Sequence, residues 1–341
     1  MSNLETAPAE LTCAAAPRDQ ARSRAQVLYP RAVPLGGPRA MTVHRTLPQR
    51  ARSLIGAWCF ADHYGPDDVA ATGGMRVDGH PHTELQTVSW LFRGEVEHRD
   101  TIGTHSFVRP GELNVMTAGS GIAHSEHSTG STTVLHGAQL WVALPESRRL
   151  TEPAFEHYVP PELQADGARV LVFLGSLLGH TAPVTTHSPL LGAEITVPAG
   201  RQVRLDVDPG FEHGVLVDTG QIRVLASGSR PADPPGLASP TAEPGQLIYL
   251  PPGADSLSLQ ASADGQARVL LLGGEPLGEQ IVMWWNFIGR SHDEIVAYRA
   301  QWQAERGRAR SRPGPFGQFP GQWESTLPAP ELPNARLRPR G

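Results

Sequence analysis

The sequence contains no lysine, because all 29 of its basic residues are arginines. Lysine supplies the amine of Schiff-base intermediates, one kind of general base and the phosphate-binding side chain of P-loops. Enzymes that depend on any of these three are therefore excluded. The formal net charge of −5 gives no overall basic field of the kind that drives non-specific binding to nucleic acid, so we expect no direct nucleic-acid partner.

Cysteine is nearly absent, since the 341 residues include only Cys13 and Cys59. Two cysteines do not support a disulfide framework. Long hydrophobic runs are missing as well, and no window approaches the roughly 18 consecutive apolar residues of a membrane span. The first residues, MSNLETAPAELT, carry acids where a signal peptide has basic residues. These absences predict a cytoplasmic protein without a membrane partner.

Glycine and proline are in excess, with 36 and 32 residues, and this composition favours short strands and turns over long helices. Short apolar runs recur between clusters of Gly, Pro, Asp and Ser. This pattern is typical of an all-β sandwich or barrel. The Pro-rich stretch 153–163 divides the runs into two blocks. The sequence therefore predicts two β-rich domains in one chain.

The ends of the chain lack this pattern. We expect a disordered N-terminal tail and a disordered or loosely draped Pro/Gly-rich C-terminal tail. A capping-box pair, Ser291 and Glu294, predicts a helix that closes the second domain and packs through Ile295, Tyr298 and Trp302. The predicted segments are 1–25 (tail), 26–165 (first domain), 166–310 (second domain, with the helix at 291–305) and 311–341 (tail).

Two short motifs carry the chemistry of the first domain. His80 and His82 stand at positions i and i+2, a spacing that puts both imidazoles on one face of a strand. His124 and Glu126 repeat the spacing in the same domain. On the inner wall of a small barrel, the two pairs would offer three nitrogen ligands and one carboxylate. Such a set suits Fe(II), Mn(II), Ni(II), Cu(II) or Zn(II) and leaves two octahedral positions open.

A second interpretation of these motifs is equally good on the residues alone. Either pair is short enough to arise by chance in a chain with 14 histidines. Histidines at the surface or in hydrogen bonds would produce the same pattern. His127 is excluded from the candidate set because its odd spacing from His124 turns it to the opposite face of a strand.

Six segments resemble the pirin family of the cupin superfamily. Because they occur in order over most of the folded part, they are far more specific than a four-residue motif. The segments are 33–37 (VPLGG), 56–66 (GAWCFADHYGP), 80–87 (HPHTELQT), 116–126 (MTAGSGIAHSE), 135–145 (LHGAQLWVALP) and 276–295 (PLGEQIVMWWNFIGRSHDEI).

The resemblance implies a bicupin, with two antiparallel β-barrel (jelly-roll) domains and a short C-terminal helix. It implies one metal ion in the first barrel, usually Fe(II), with His80, His82, His124 and Glu126 as its ligands. Some pirins have quercetin 2,3-dioxygenase activity, in which O2 opens the ring of a flavonol and CO is released. In that reaction we expect Glu126 to remove the proton of the 3-hydroxyl group.

The family name leaves two alternatives. Other pirins are regulators that bind a transcription factor or a metabolic enzyme, so the protein partner of a metal-dependent regulator is the first alternative. A different small aromatic or enediol substrate at the same metal is the second.

Two positions in the first domain depart from the family pattern. Glu84 stands where glycine is common, and Gln86 stands near the place of a frequent glutamate. The Glu84 side chain could point to solvent or lie at the mouth of the pocket, and we favour solvent because it shares a face with His82 only in a regular strand. The second domain has only His213 near the matching strand, so we expect it to bind no metal.

Aromatic and acidic residues around these motifs give further expectations. The flavonol rings would be received by apolar walls, and the candidates are Trp90, Phe92, Met116 and Trp141, although ordinary barrel core is the favoured interpretation of any single one. The conspicuous residues Asp62, His63 and Tyr64 are expected to form a buried turn whose side chains bond to backbone.

Overall fold

The computed structural model describes residues 24–35, 41–72, 74–228, 239–306, 314–321, 323 and 325–341. Most of the regular structure is β-strand, as the short apolar runs between turn residues predict. Cys13 and all but the last two residues of the predicted tail 1–25 lie outside the described residues. None of the described helices is long and apolar enough to span a membrane.

The first half of the described chain contains twelve strands and one short helix. These are β1 (Gln26–Leu28), β2 (Arg31–Leu35), β3 (Met41–Leu47), β4 (Trp58–Asp68), α1 (Val69–Thr72), β5 (Arg76–His82), β6 (Leu85–Arg93), β7 (Val96–Asp100), β8 (His105–Val108), β9 (Leu113–Thr117), β10 (Ile122–Ser128), β11 (Val134–Ala143) and β12 (Ala154–Tyr158).

The second half contains a further fourteen strands among its described residues, and it ends in a helix. These are β13 (Glu162–Ala165), β14 (Ala168–Leu174), β15 (Ser176–Leu177), β16 (His180–Thr181), β17 (Leu190–Val197), β18 (Gln202–Asp206), β19 (Glu212–Thr219), β20 (Ile222–Ser227), β21 (Thr241–Ala242), β22 (Leu247–Leu250), β23 (Ser256–Ala261), β24 (Ala267–Gly274), β25 (Val282–Trp284), β26 (Phe287–Gly289) and α2 (His292–Glu305).

The chain builds two barrels, each from a seven-stranded and a four-stranded antiparallel sheet. The first barrel has the strand orders β12-β9-β6-β11-β4-β3-β2 and β5-β10-β7-β8. The second has the orders β1-β22-β19-β24-β17-β14-β13 and β18-β23-β20-β21. In the first barrel, Val43, Val77 and Leu91 come from both sheets and share one buried cluster. The predicted all-β architecture of two antiparallel barrels with one C-terminal helix is confirmed.

The domain boundaries at 26–165 and 166–310 stay predictions, and two short strands near them pair with strands of the second barrel. Strand β1 pairs with β22 of the second barrel, although it precedes the whole first barrel in the chain. Strand β13 pairs with β14 in the same seven-stranded sheet. Both ends of the predicted first domain are thus hydrogen-bonded to the second barrel.

The two barrels share a buried apolar interface. Trp58 and Trp90 from the first barrel lie in one cluster with Phe173 and Tyr249 from the second. The two tryptophans also place their indole N–H groups across the interface. Trp58 donates to the carbonyl of Gly273 at 3.1 Å, and Trp90 donates to the Glu194 carboxylate at 2.8 Å. Burial of such large side chains makes this contact part of the core.

The chain returns to the first barrel after β24. Helix α2 begins after Ser291, whose side chain accepts from the backbone N–H of Glu294 in the predicted capping box. The predicted packing face is confirmed by Ile295 and Trp302, which are fully buried, with Tyr298 half-buried beside them in the same cluster. This cluster also contains Ala123 of strand β10. The helix therefore packs next to the strand that carries the second predicted motif.

The expectation of a loosely draped C-terminal tail is wrong for the residues described beyond 314. Phe316, Ala329 and Leu337 are buried in the cluster of α2. The backbone N–H of Leu327 donates to the carbonyl of Gly79 at 2.8 Å, on the open edge of strand β5. Proline and glycine prevented regular structure here, but the interspersed apolar side chains still bury. The tail thereby covers an edge strand of the first barrel.

Candidate metal centre

Strands β5 and β10 are antiparallel neighbours, and their register brings the two predicted motifs together. The Cα atom of His124 lies opposite that of His80, and Ile122 lies opposite His82. The imidazoles of His80, His82 and His124 consequently converge, with one ring nitrogen of each within 4.8 Å of the others. Nε2 of His82 is 3.1 Å from Nε2 of His124. The i, i+2 spacing thus places the three rings on one inner face.

Glu126 lies at the same centre but in an overlapping group. A register shift in β10 between His124 and Glu126 displaces it along the strand. Its carboxylate lies within 4.8 Å of ligand atoms of His124 and His98, a histidine on the neighbouring strand β7. Ser89 donates a 3.3 Å hydrogen bond to Oε1 of Glu126. His124 therefore belongs both to the group of three histidines and to the group with the carboxylate.

Backbone carbonyl groups orient two of the imidazoles. Nδ1 of His80 is 2.8 Å from the carbonyl oxygen of Asp78, and Nδ1 of His82 is 3.1 Å from that of Asn286. A carbonyl oxygen only accepts, so each Nδ1 carries the proton and donates it. Nε2 of both rings then presents a lone pair, which is the form that binds a metal ion.

Burial keeps these imidazoles neutral. It lowers the pKa of His80 to about 4 and holds the pKa values of His82 and His124 well below the usual range. The three histidines are therefore unprotonated near pH 7 and can serve as nitrogen ligands. Neutral imidazoles beside one carboxylate form a donor set that suits a divalent transition metal.

Comparison with known proteins identifies the family. The family model described as Pirin matches residues 40–142, and the model described as Pirin C-terminal cupin domain matches residues 192–308. The chain belongs to the pirin family. Among the relatives of this pirin is a Pseudomonas aeruginosa protein provisionally named a quercetin 2,3-dioxygenase. It is 42% identical over 304 residues, which cover 89% of each chain.

Solved structures give the same relationship. A crystal structure of quercetin 2,3-dioxygenase from Acinetobacter baumannii superposes with a TM-score of 0.80 at 34% identity, and it covers 94% of this chain and 99% of that one. A bacterial pirin from Escherichia coli in complex with nickel(II) has a TM-score of 0.55 at 19% identity, and it covers 74% and 99%. The second comparison shows a shared fold.

The wall of the centre in this pirin is aromatic on one side. The ring of Trp141 meets His82 edge-on with centroids 5.1 Å apart, and its other contact is a stack on Phe60 at 4.1 Å. Met116 lies in the same apolar cluster. The two remaining wall candidates, Trp90 and Phe92, are core residues, the favoured interpretation, because both side chains turn to the interface between the barrels. Trp90 contacts Phe173 there, and Phe92 contacts Arg268.

The expectation that Glu84 points to solvent is wrong. Its side chain is fully buried and accepts hydrogen bonds from Arg149 at 2.6 Å, Arg290 at 3.1 Å and Tyr298 at 2.6 Å. The backbone explains the difference, since Glu84 has φ of 57° and lies between the ends of β5 and β6. This left-handed conformation breaks the strand alternation on which the expectation rested.

Gln86 lies in strand β6 outside both groups. Its amide donates to the hydroxyl of Thr117 at 2.9 Å and to the carbonyl of Thr185 at 3.2 Å. His127 is also separate, because its Nε2 lies 3.3 Å from the carboxylate of Asp78 at the far side of the strand. In the second barrel, His213 is fully buried, and it belongs to none of the metal-compatible groups found among the described residues.

The segment Asp62–Tyr64 does not form a turn, so that expectation is wrong. The three residues lie in strand β4, and Asp62 and His63 bond to side chains. Asp62 accepts two 2.7 Å hydrogen bonds from the guanidinium of Arg45, and both groups are buried. Nε2 of His63 lies 2.7 Å from Oδ1 of Asp218 on the second barrel. These contacts are structural and lie outside the metal centre.

His63, His136 and Asp218 form a third metal-compatible group, at the barrel interface. Nε2 of His136 lies 2.6 Å from the same Oδ1, and Arg268 donates to Oδ2 at 2.6 Å. Burial raises the pKa of Asp218, but the histidine hydrogen bonds and the Arg268 charge outweigh it and hold this pKa well below its usual range. The guanidinium already compensates the carboxylate, so we interpret the group as an ion-pair cluster that joins the barrels.

Substitution of Asp218 by asparagine is therefore expected to lower the free energy of unfolding by about 3 kcal/mol at pH 7, because it leaves a partly buried guanidinium uncompensated. Asp206→Asn is the control, since its side chain is 91% exposed. Denaturant unfolding of both variants measures the difference. Equal stability of the two variants would contradict the assignment.

The same ion pair predicts a pH dependence. The folded-state pKa of Asp218 is depressed, so its stabilisation is present above the unfolded pKa of about 3.9 and is lost as the pH falls through the folded value. The contribution of the Asp218 carboxylate to the stability difference between wild type and Asp218→Asn should thus shrink below about pH 4. A stability difference between wild type and Asp218→Asn that grows below about pH 4 would contradict the depressed pKa of Asp218.

Proposed function

We propose that this pirin is a mononuclear metal-dependent dioxygenase that opens the ring of a flavonol such as quercetin, consuming one O2 and releasing one CO. The observation that carries the proposal is the convergence of three buried, neutral imidazoles, His80, His82 and His124, with the carboxylate of Glu126 beside them. The names of the two relatives at 42% and 34% identity, of which the first is provisional, support the choice of reaction.

The residues present fit a divalent metal ion, and we propose Fe(II) as the natural one. Nε2 of His80 and of His82 is left available by the hydrogen bonds of their Nδ1 atoms, and His124 and Glu126 complete the set. Bound Fe(II) would supply Lewis acidity toward the 3-hydroxyl group of the flavonol and redox chemistry toward O2.

The protein's own part in the reaction is to bind the flavonol, remove a proton and keep water out. The Glu126 carboxylate accepts the proton of the 3-hydroxyl group, and the hydrogen bond from Ser89 holds its Oε1 in place. The stacked pair of Trp141 and Phe60 offers an apolar wall for the aromatic rings. Full burial of the three imidazoles leaves little room for bulk water at the reacting atoms.

A turnover experiment tests the proposal. Metal-free protein is loaded with Fe(II) without oxygen, quercetin and O2 are added, and loss of flavonol absorbance is followed together with CO release. His80→Ala is expected to reduce turnover to background. His127→Ala is the matched control, because it removes a histidine of strand β10 that lies outside the centre, and it should retain wild-type turnover.

The outcomes separate the alternatives of the family. Turnover with CO that disappears in His80→Ala supports the dioxygenase. One equivalent of bound iron without turnover would contradict the enzyme and favour a metal-dependent regulator whose partner is a transcription factor or a metabolic enzyme. Absence of bound metal would overturn both functions.

A further inference from the structure

A chain of polar side chains leads from the metal centre to the turn after strand β7. Nδ1 of His124 is 3.3 Å from Nδ1 of His98, and Nε2 of His98 is 3.2 Å from Oδ2 of Asp100. Oδ1 of Asp100 accepts the backbone N–H groups of Ile102 at 3.1 Å and Thr104 at 2.9 Å. His98, Asp100 and His124 are all buried. The Asp100 carboxylate is thus held by backbone N–H groups at the far end of this chain of side chains.

The hydrogen-bond chain from His124 through His98 to Asp100 admits one arrangement of protons when His124 is a metal ligand, a condition that rests on the proposed function. His124 then offers Nε2 as a lone pair, so its proton is on Nδ1 and is donated to Nδ1 of His98. His98 must accept there, so its own proton is on Nε2 and is donated to Asp100. Because a carboxylate only accepts, Asp100 fixes the direction of both hydrogen bonds.

The Nδ1 atom of His124 has a different kind of hydrogen-bond partner from the Nδ1 atoms of His80 and His82. His80 and His82 donate from Nδ1 to backbone carbonyl oxygens, and a carbonyl group accepts in every protonation state. His124 faces a second imidazole, which accepts or donates according to its tautomer. The tautomer of His124 is therefore the one in the centre that needs a further group to define it.

We propose that His98 and Asp100 are positioning residues that fix the tautomer of His124, so that its Nε2 lone pair faces the metal ion. Partners of this kind behind a ligating histidine orient the ring and raise its basicity, and their loss typically costs about 10- to 100-fold in metal affinity. Neither residue is one of the four proposed ligands, and both act on the metal ion through His124.

The variant Asp100→Asn tests this role because it reverses the direction in which both hydrogen bonds, His124 to His98 and His98 to Asp100, are donated. The asparagine oxygen still accepts from Ile102 and Thr104, so its NH2 group now faces Nε2 of His98. The proton of His98 moves to Nδ1, His124 must accept at its own Nδ1, and the His124 proton then occupies Nε2. All hydrogen bonds are kept in the metal-free protein, but the metal-binding lone pair is lost.

The expected result is a drop of about 10- to 100-fold in affinity for Zn2+, measured by competition with a chromophoric chelator. Denaturant unfolding of the metal-free variant should give nearly wild-type stability. Asp206→Asn is the matched control, since it removes the carboxylate of an exposed ion pair with Arg204 in the second barrel and leaves every residue of the metal centre unchanged. Its Zn2+ affinity should stay within about threefold of wild type, because the electrostatic contribution of such an exposed pair is small.

A second pair of variants keeps the test independent of the stability of Asp100→Asn. The side-chain oxygen of His98→Asn can accept from Nδ1 of His124 without help from Asp100, and we expect near wild-type Zn2+ affinity. His98→Leu offers no acceptor and should lose affinity as Asp100→Asn does. Rescue by asparagine but not by leucine distinguishes a hydrogen-bonding role from packing.

Wild-type Zn2+ affinity in Asp100→Asn, or equal losses in Asp100→Asn and Asp206→Asn, would overturn the positioning role while leaving the metal centre in place. Equal losses in His98→Asn and His98→Leu would also overturn it. Failure of the wild type to bind Zn2+ would instead overturn the proposed function, and the positioning role with it.

Discussion

Replacing His124 by alanine is expected to lower the affinity for a divalent metal ion by about 100-fold or more. Structural zinc sites bind with about 10–16 kcal/mol over four ligands, which is roughly 3 kcal/mol per ligand, and each 1.4 kcal/mol is a factor of ten. His124 is the most informative position because it is the member shared by the three-histidine group and the group with Glu126.

Metal stoichiometry and affinity in His124→Ala should be compared with those in His127→Ala. The control residue lies three positions further along the same strand, but its ring turns to Asp78 and solvent. The expected outcome is one equivalent of tightly bound metal in wild type and in His127→Ala, with weak binding in His124→Ala. Tight binding by His124→Ala would show that the metal ion lies elsewhere.

Glu84→Gln is expected to lower the free energy of unfolding by about 3–5 kcal/mol, because it removes the charge of the fully buried carboxylate in a cluster of ion pairs. Glu84 accepts from Arg149 and Arg290, whose guanidinium groups would then be left with less compensation, and from the hydroxyl of Tyr298. These partners lie in a loop of the first barrel, after β26 and in helix α2. The cluster therefore joins the end of the ligand strand β5 to the C-terminal segment.

Glu146→Gln is the matched control for this substitution. Glu146 contacts the same two arginines at 3.0 and 3.2 Å, but its side chain is 59% exposed. Exposed ion pairs contribute about 0–1 kcal/mol, so Glu146→Gln should unfold nearly as wild type does. The unfolding free energies of the two variants are compared by denaturant titrations at pH 7. Equal values would show that the buried Glu84 carboxylate stabilises the fold no more than the exposed Glu146 carboxylate does.

The sequence predicted those features that follow from strand alternation and helix capping. The i, i+2 spacing of His80 with His82 suffices to place both rings on one face, and the antiparallel register of β5 and β10 then brings in His124. Helix α2 was predictable because Ser291 and Glu294 satisfy the helix start locally. These arguments need only neighbouring residues and the assumption of regular strands.

The argument from strand alternation gave the wrong orientation for Glu84 and did not identify His98. The positive φ of Glu84 turns its side chain into the arginine cluster, and nothing in the neighbouring residues identifies that conformation. His98 went unassigned because its place beside Glu126 depends on the pairing of β7 with β10. The one signal for it was the His98-x-Asp100 spacing on a strand, which aligns the two side chains.

Contacts between distant parts of the chain were beyond the sequence patterns. Trp90 and Phe92 have the composition of a pocket wall, but they lie on the face of β6 that meets the second barrel. Asp218 was not a candidate, because its histidine partners precede it by more than 80 residues. Such pairings are set by the packing of one barrel on the other, which strand periodicity does not encode.

The most direct test of the central claim is a crystal structure of the Fe(II)-loaded protein, with anomalous scattering recorded above and below the iron edge. We expect one anomalous peak per chain, about 2.1 Å from Nε2 of His80, His82 and His124, with a carboxylate oxygen of Glu126 at a similar distance. A peak at the cluster of His63, His136 and Asp218, or no peak at the three histidines in iron-loaded protein, would contradict a metal centre formed by these histidines and Glu126.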